Sequence, residues 1–451
     1  MKTICLYFEI HQNIHLKRYR FFDIGSDHYY YDDYENERSI VETTNNSYVP
    51  ALNTLIEMAN DNKGFFKCAV SLSGCSIELL EIHAPHVIGL LKKLIDTGCC
   101  EVVAEPYSHG LASLGNESAF RDEVKHLCEK VEGLFGVRPT IFRNSCSIYS
   151  DEIGRFVYEM GFKGMLTEGA KHVLGWKSPH FVYNCVTAPS LKLLLRDNRL
   201  SEDISFRFND YGWSEYPLMA DKYMDWISQT PEEEQLFNLF MELCALGVFQ
   251  PLSSNILEFF KAMPLEAKKR GIKFATPSEV CKKMKSVGPI HVADPISWVD
   301  EERDVSPWLG NIMQQEAYKK LYSVADRVLV CNDRRLKQDW DYLQATNNFR
   351  FMSTKPGSEN AYRGIYNTPY DAFTNYMNIL GDYITRVNNL YPDLENEEIS
   401  PLMMTIRNQE DELNRKDREI AHLQKTLELL KGKKKDSKSE EKKSTKRVRS
   451  K

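Results

Sequence analysis

A thiol, a glutamate and a set of polar side chains stand where the strand-like runs of this chain end, and their types define the chemistry open to them. Cys146 lies in the run Phe142-Arg143-Asn144-Ser145-Cys146-Ser147-Ile148-Tyr149, followed by Asp151 and Glu152. A thiolate can attack an electrophilic carbon, but turnover through a poorly leaving sulfur stalls, so a small polarizable space-filling role fits Cys146 better. Glu242 follows the apolar run 237–241 and can transfer a proton if burial raises its pKa. His11, Gln12, Glu101, His109 and Arg143 fall at or near other strand ends and can hold a ligand through hydrogen bonds. Trp298 and Asp300, in the acidic and aromatic run 296–304, join them as groove residues. Asp151 and Glu152 read instead as the start of a helix, where acids meet the positive end of the dipole.

Metal chemistry is not expected. No Cys/His cluster has zinc spacing, and His11 and His15, four apart, sit in a predicted loop without acidic partners. No cofactor motif is present either, so neither a metal nor a cofactor is expected.

These residues need elements to position them. Strand-like runs at 3–10, 67–71, 101–104, 140–143, 164–166 and 237–241 alternate with helical runs such as 49–59, 84–96, 117–135 and 152–160. That alternation predicts an α/β fold with parallel strands, whose functional residues gather at the strands' carboxyl ends. From about 289 to 391 the pattern turns helical and aromatic-rich, and aromatics such as Trp308 and Trp340 at helical spacing read as core. Ile406, Leu413, Ile420 and Leu427 recur every seven residues, yet the companion positions are apolar only in the second half, leaving a coiled coil and a solvated single helix both open. The expected divisions are 1–288, 289–400, 401–431 for the C-terminal helix and 432–451 for a disordered basic tail.

Composition sets further bounds. With 451 residues, 42% hydrophobic and 27% charged, the chain can bury a large core. Residues 431–451 carry eleven Lys/Arg against three Asp/Glu, which puts +8 there and −14 on the rest of a chain of net charge −6. Such a run reads as a solubilising tail, and with no base-reading motif nucleic acid is not an expected partner. Glu9 and His11 interrupt the N-terminal apolar run before any small-residue cleavage site, and no apolar stretch of about 18 residues follows, so a cytoplasmic protein without membrane attachment is expected. Eleven cysteines without a CxxC pair predict free thiols.

Five short segments, in order, resemble the motifs of glycoside hydrolase family 57, the α-amylase and 4-α-glucanotransferase family. His11-Gln12-Asn13 matches the opening His-Gln-Pro with its third residue changed, and Gly98-Cys99-Cys100-Glu101 matches the second motif. The third surrounds Cys146, where the family carries its nucleophilic Glu. Glu242-Leu243-Cys244-Ala245-Leu246-Gly247-Val248-Phe249 corresponds to the fourth, Asp-x-Glu-x-Phe-Gly-Glu-His, and Ala275-Thr276-Pro277-Ser278-Glu279 to the fifth. With similar stretches at 17–33, 296–310 and 368–383, the resemblance covers about 1–390.

The resemblance implies a distorted (β/α)7 barrel with an adjoining helical segment, and a site for α-glucan or maltooligosaccharide. It places His11 against substrate, makes Glu101 a pocket-shaping residue, and maps the catalytic pair onto Cys146 and Glu242. Retaining glycosidases need two carboxyl groups about 5 to 5.5 Å apart. Here the nucleophile has lost its carboxylate, the acid/base is one methylene longer, and the shell around it has become Cys244, Leu246, Val248 and Phe249. The expectation is an impaired α-amylase homologue that binds glucan or assists an active enzyme. The alternatives are an active enzyme with relocated catalytic groups and a scaffold that self-associates through 406–430.

Overall fold

The computed structural model describes residues 1–62, 64–355 and 365–390, with the single positions Gln409 and Lys416. The expected C-terminal helix, its heptad positions and the basic tail otherwise lie outside the described residues. Met1–Leu329 and Asp333–Val387 form one compact unit.

Eight strands matter for the site: β1 (Thr3–Ile10), β2 (Cys68–Leu72), β3 (Cys100–Val103), β4 (Ile141–Arg143), β5 (Gly164–Glu168), β6 (Val182–Cys185), β7 (Lys192–Arg196) and β8 (Leu236–Glu242). All of β1 is buried, as a parallel strand covered on both faces must be. Alternate side chains divide between the two faces. Cys5 and Tyr7 of β1 share one core cluster with Ala69, Val103, Ile141, Leu166, Leu194, Leu236 and Phe240, which takes one parity from each strand and so marks the barrel interior.

Pairing closes a ring of seven parallel strands. β1 lies between β8 and β2, β2 pairs β3, β4 pairs β5, and β5 pairs β7. β3 reaches β4 through a bridge between Ala104 and Phe142, with Arg143 N donating to Ala104 O at 2.8 Å. β7 meets β8 at one register pair, Arg196 with Asn238. Side chains fill this thin seam: Asn238 Nδ2 donates to Leu195 O, and Ser201 Oγ accepts from Phe240 N. β6 lies antiparallel on β7, outside the ring. The expected distorted seven-stranded barrel is therefore present, with its distortion at two weak seams.

Helices from the 289–387 region pack on the loop after β1. Tyr31 donates to Asp339 and Tyr30 to Asp382, both at 2.6 Å, and Arg386 pairs with Asp339 at 2.8 Å. No described helix is long and apolar enough to cross a membrane. All eleven cysteines are free thiols.

Candidate functional site

One strand step beyond the apolar interior, the same parity turns polar: Glu9, Ser71, Glu105, Arg143, Glu168, Arg196 and Glu242 follow the core residues of their respective strands. Seven side chains thus converge at one end of the barrel, where charge survives only if paired. Arg143, wholly buried, grips Glu9 with a two-pronged bond, Nη1 to Oε1 at 2.6 Å and Nη2 to Oε2 at 2.9 Å, and reaches Glu105 Oε2 at 3.3 Å. Its guanidinium also lies 4.4 Å over the Phe240 ring. Arg196 and Glu168 make a second buried pair at 3.1 Å.

His109 sits above the first cluster on the loop after β3. Two contacts hold that loop: Ser108 N donates to Glu123 at 2.9 Å, and Tyr107 packs on Gly74, where an added Cβ would lie 2.3 Å from the ring. His109 Nδ1 lies 3.2 Å from Glu9 and 3.7 Å from Glu105, and Nε2 lies 3.4 Å from Cys146 Sγ. Burial alone would lower the His109 pKa, but Glu9, then Cys146 and Glu105, outweigh it and raise it well above the ordinary value. His11 stacks on it with ring centroids 4.1 Å apart and bonds Ser73 through Nδ1 at 2.9 Å. Burial, then His109 and Arg143, drive the His11 pKa well down. The two stacked rings are therefore pushed in opposite directions, His109 toward its charged form and His11 toward its neutral one.

Cys146 adopts the left-handed backbone region, φ +50°, and Ser147 follows at +54°, with His109 at +52°. Such values are costly for residues with side chains and collect at functional sites. Glu242 accepts from the Cys244 thiol at 3.3 Å; burial and then Glu9, its partner across the β1–β8 pair, raise its pKa. A cleft of about 540 Å³ opens over these groups, lined by His11, Gln12, Asn13, His109, Cys146, Glu242 and Trp298, with Cys244, Val248 and Phe249 from the loop after β8. Gly247 is required in that loop: its φ is +125°, and a Cβ would meet Asn46 O at 1.9 Å.

Residues 5–293 match the family described as Glycosyl hydrolase family 57. A Methanocaldococcus jannaschii protein named "Putative alpha-amylase" is 34% identical over 370 residues, 78% of each chain. The chain belongs to glycosyl hydrolase family 57. Its fold is similar to that of a 4-alpha-glucanotransferase from Thermococcus litoralis, at TM-score 0.59 and 14% identity, over 84% of this chain and 59% of that one. A family 57 branching enzyme from Thermococcus kodakaraensis gives TM-score 0.61 and 13% identity over 86% and 90%. This chain thus spans less than two thirds of the glucanotransferase and most of the branching enzyme.

In this family 57 barrel, six residues expected from the sequence share one cleft: His11, Gln12, His109, Cys146, Glu242 and Trp298. Arg143 lies beneath them and does not line it. Glu101 does not line this cleft. It precedes Glu105 by four residues, roughly 13 Å of extended strand, and accepts from Ser278 N at 2.9 Å in the segment after the short strand Lys273–Phe274. Its carboxylate is thus spent inside the barrel. Asp300 is also outside the cleft lining, ion-paired to Arg350 at 3.8 Å and Lys355 at 3.5 Å, whereas its neighbour Val299 does line it.

Glu9 and Asn13 were not anticipated as site residues. Glu9 had a readable signal, an acid at the interior parity of an otherwise apolar strand, Cys5-Tyr7-Glu9. Glu35, Arg38 and Glu42 on the helix Asp33–Thr43 also line the cleft, and their amphipathic pattern alone does not separate a cleft rim from a solvated face. Glu9, Glu105 and His109 bring ligating atoms within 4.8 Å of one another. They do not suit a resident metal: Arg143 holds both carboxylates, so an ion would have to displace a buried guanidinium.

Proposed function

We propose that this family 57 protein binds an α-glucan chain in the cleft and does not turn it over as a retaining hydrolase. The reading rests on Cys146: the position matching the family's nucleophile carries a thiol, set 3.4 Å from a histidine rather than poised as a carboxylate. Glu9 is a poor replacement, because the Arg143 fork occupies both its oxygens. Glu242 retains a carboxyl whose proton is favoured by burial, so an acid remains without its partner. The polar contacts that would hold sugar hydroxyls persist in His11, Gln12, Asn13 and His109. The names of the relatives, an alpha-amylase, a 4-alpha-glucanotransferase and a branching enzyme, support glucan as the ligand class.

A second reading has one observation behind it. Glu9 and Glu242 occupy paired positions of β1 and β8, and two neighbouring carboxyl groups, of which Glu242 has its pKa raised by burial, have the form of an acid/base pair. Titration of maltoheptaose by calorimetry, beside a reducing-sugar assay on amylose, separates the two. Binding without release of sugar supports the first. Release that survives Cys146→Ala and disappears in Glu9→Gln and in Glu242→Gln supports the second.

A further inference from the structure

We propose that Cys146 is a covalent acceptor, whose Sγ takes a glucosyl unit from an α-glucosyl donor in the cleft and retains it as a thioglycoside. The inference rests on the glucan reading and goes beyond it, from a ligand held to a bond formed.

Its geometry is that of an assembled nucleophile. Cys146 Sγ lies 3.4 Å from His109 Nε2, and the far nitrogen of that ring faces Glu9 Oε1 at 3.2 Å, an ion-pair contact without hydrogen-bond geometry, so thiol, imidazole and carboxylate are neighbours in turn. Arg143 fixes the carboxylate from below. The thiol is held at φ +50°, and although only 8% exposed it lines the cleft. Cys244, the other cleft cysteine, provides the contrast. Its sulfur faces the Glu242 carboxyl, and burial together with Glu242 pushes that thiol well up, which keeps it inert. Asn13, 7% exposed and lining the same cleft, leaves both side-chain amide atoms without a protein partner, as does the Nε2 atom of His11. A polyhydroxylated ligand supplies the donors and acceptors these groups lack.

The step balances with groups already present. A sulfur electron pair forms the S–C1 bond as the C1–O bond to the remaining glucan breaks. The leaving oxygen takes the Glu242 proton. The proton shared by Cys146 Sγ and His109 Nε2 stays on the imidazole, beside Glu9. The products are S-glucosylated protein, a shortened glucan, a Glu242 carboxylate and a His109 imidazolium. Water cannot easily reverse the state, because sulfur is poorly assisted by protonation as a leaving group.

The test uses the full-length protein with α-maltosyl fluoride, read by intact-mass spectrometry, beside calorimetric titration with maltoheptaose. One maltosyl unit per chain is expected, mapped by peptide fragmentation to Cys146 and lost in Cys146→Ala. His109→Gln should slow labelling at least about tenfold and change its pH profile, which a merely structural role would not do. Glu242→Gln should slow transfer from maltoheptaose, whose leaving group needs a proton, far more than transfer from the fluoride. If the histidine variant does not fold, the glutamate variant still tests the step. Wild-type protein that binds maltoheptaose yet takes up no sugar overturns the covalent step and leaves the glucan reading intact. Protein that neither binds nor reacts overturns both, and a label on any other cysteine overturns the assignment to Cys146.

Discussion

The cleft is built from two kinds of loop end. Those after β1 and β3 supply His11, Gln12, Asn13 and His109, with nitrogen and oxygen atoms facing a shared space. The loop after β8 supplies Cys244, Val248 and Phe249, and the latter two are exposed apolar surface at 45% and 42%. In the family motif this second loop would carry Glu, Glu and His at those positions. On the proposed reading, the apolar replacements fall on the side that carries Glu242, while the side that carries His11 and His109 presents polar atoms. A site drifting as a whole would show both sides degraded.

The largest effect expected from this difference is on turnover. Hydrolysis of amylose should lie on the order of 10⁴-fold or more below that of a family member with both carboxylates, as measured by reducing-sugar release. Cys146→Glu with Glu242→Asp should recover little of it, because Cys244, Val248 and Phe249 would still surround the restored pair. Robust turnover in that double variant would break the comparison between the two loops.

Next comes the support beneath the polar side. Arg143→Ala leaves Glu9 and Glu105 buried without their cation, and breaking a buried pair this way costs about 3–5 kcal/mol. Urea unfolding should show that loss. A loss under about 1 kcal/mol would mean that His109 and water suffice to hold both acids.

Burial and charge explain what could be read without coordinates. Apolar runs of the right length gave β1, β2, β3, β4, β5 and β8, and motif order put His11, Cys146 and Glu242 at one end of one barrel. β7 was not recognised, although the ring cannot close without it, since the run Leu191-Lys192-Leu193-Leu194-Leu195-Arg196 has no clear alternation. Glu101 near the start of β3 and Glu105 just past its end share one parity, and the short apolar run between them does not tell from sequence which lies at the cleft end. The His109–Cys146 contact joins residues 37 apart across the β3–β4 seam, beyond the reach of periodicity.

The stacked histidines should also show in the pH dependence of stability. A raised folded pKa for His109 means that the folded state holds its proton more tightly, so that contribution is complete below the ordinary value of 6.5 and is lost as pH rises above it. His11, with a lowered folded pKa, has the opposite sign and contributes its change below 6.5. Above about pH 6.5 His11 no longer contributes, whereas His109 and His180, which is also raised by its carboxylate partners, both do, so the His109 part is read as the difference from a His109 variant. Chemical unfolding above that pH should show wild type losing stability relative to His109→Gln, while His11→Gln keeps the wild-type slope. Parallel curves for wild type and His109→Gln would mean that Glu9 does not hold the imidazole cationic.

The smallest effects test the two loops directly, by removing one contact from each. His11→Ala deletes a ring stacked on His109 and an unpartnered nitrogen in the cleft, and should weaken maltoheptaose binding about tenfold, equivalent to about 1.4 kcal/mol. Phe249→Ala removes an aromatic face that is 42% exposed and stacked at 6.1 Å on Phe206. A sugar resting on so solvated an aromatic face gains about 0.5 kcal/mol from it, which predicts a change in affinity of about two- to threefold. Titration calorimetry on both variants and the wild type gives the ratio. If Phe249→Ala costs more than His11→Ala, the sugar rests mainly on the apolar loop, and the replacements after β8 then read as a gained platform for the glucan rather than a lost catalytic shell.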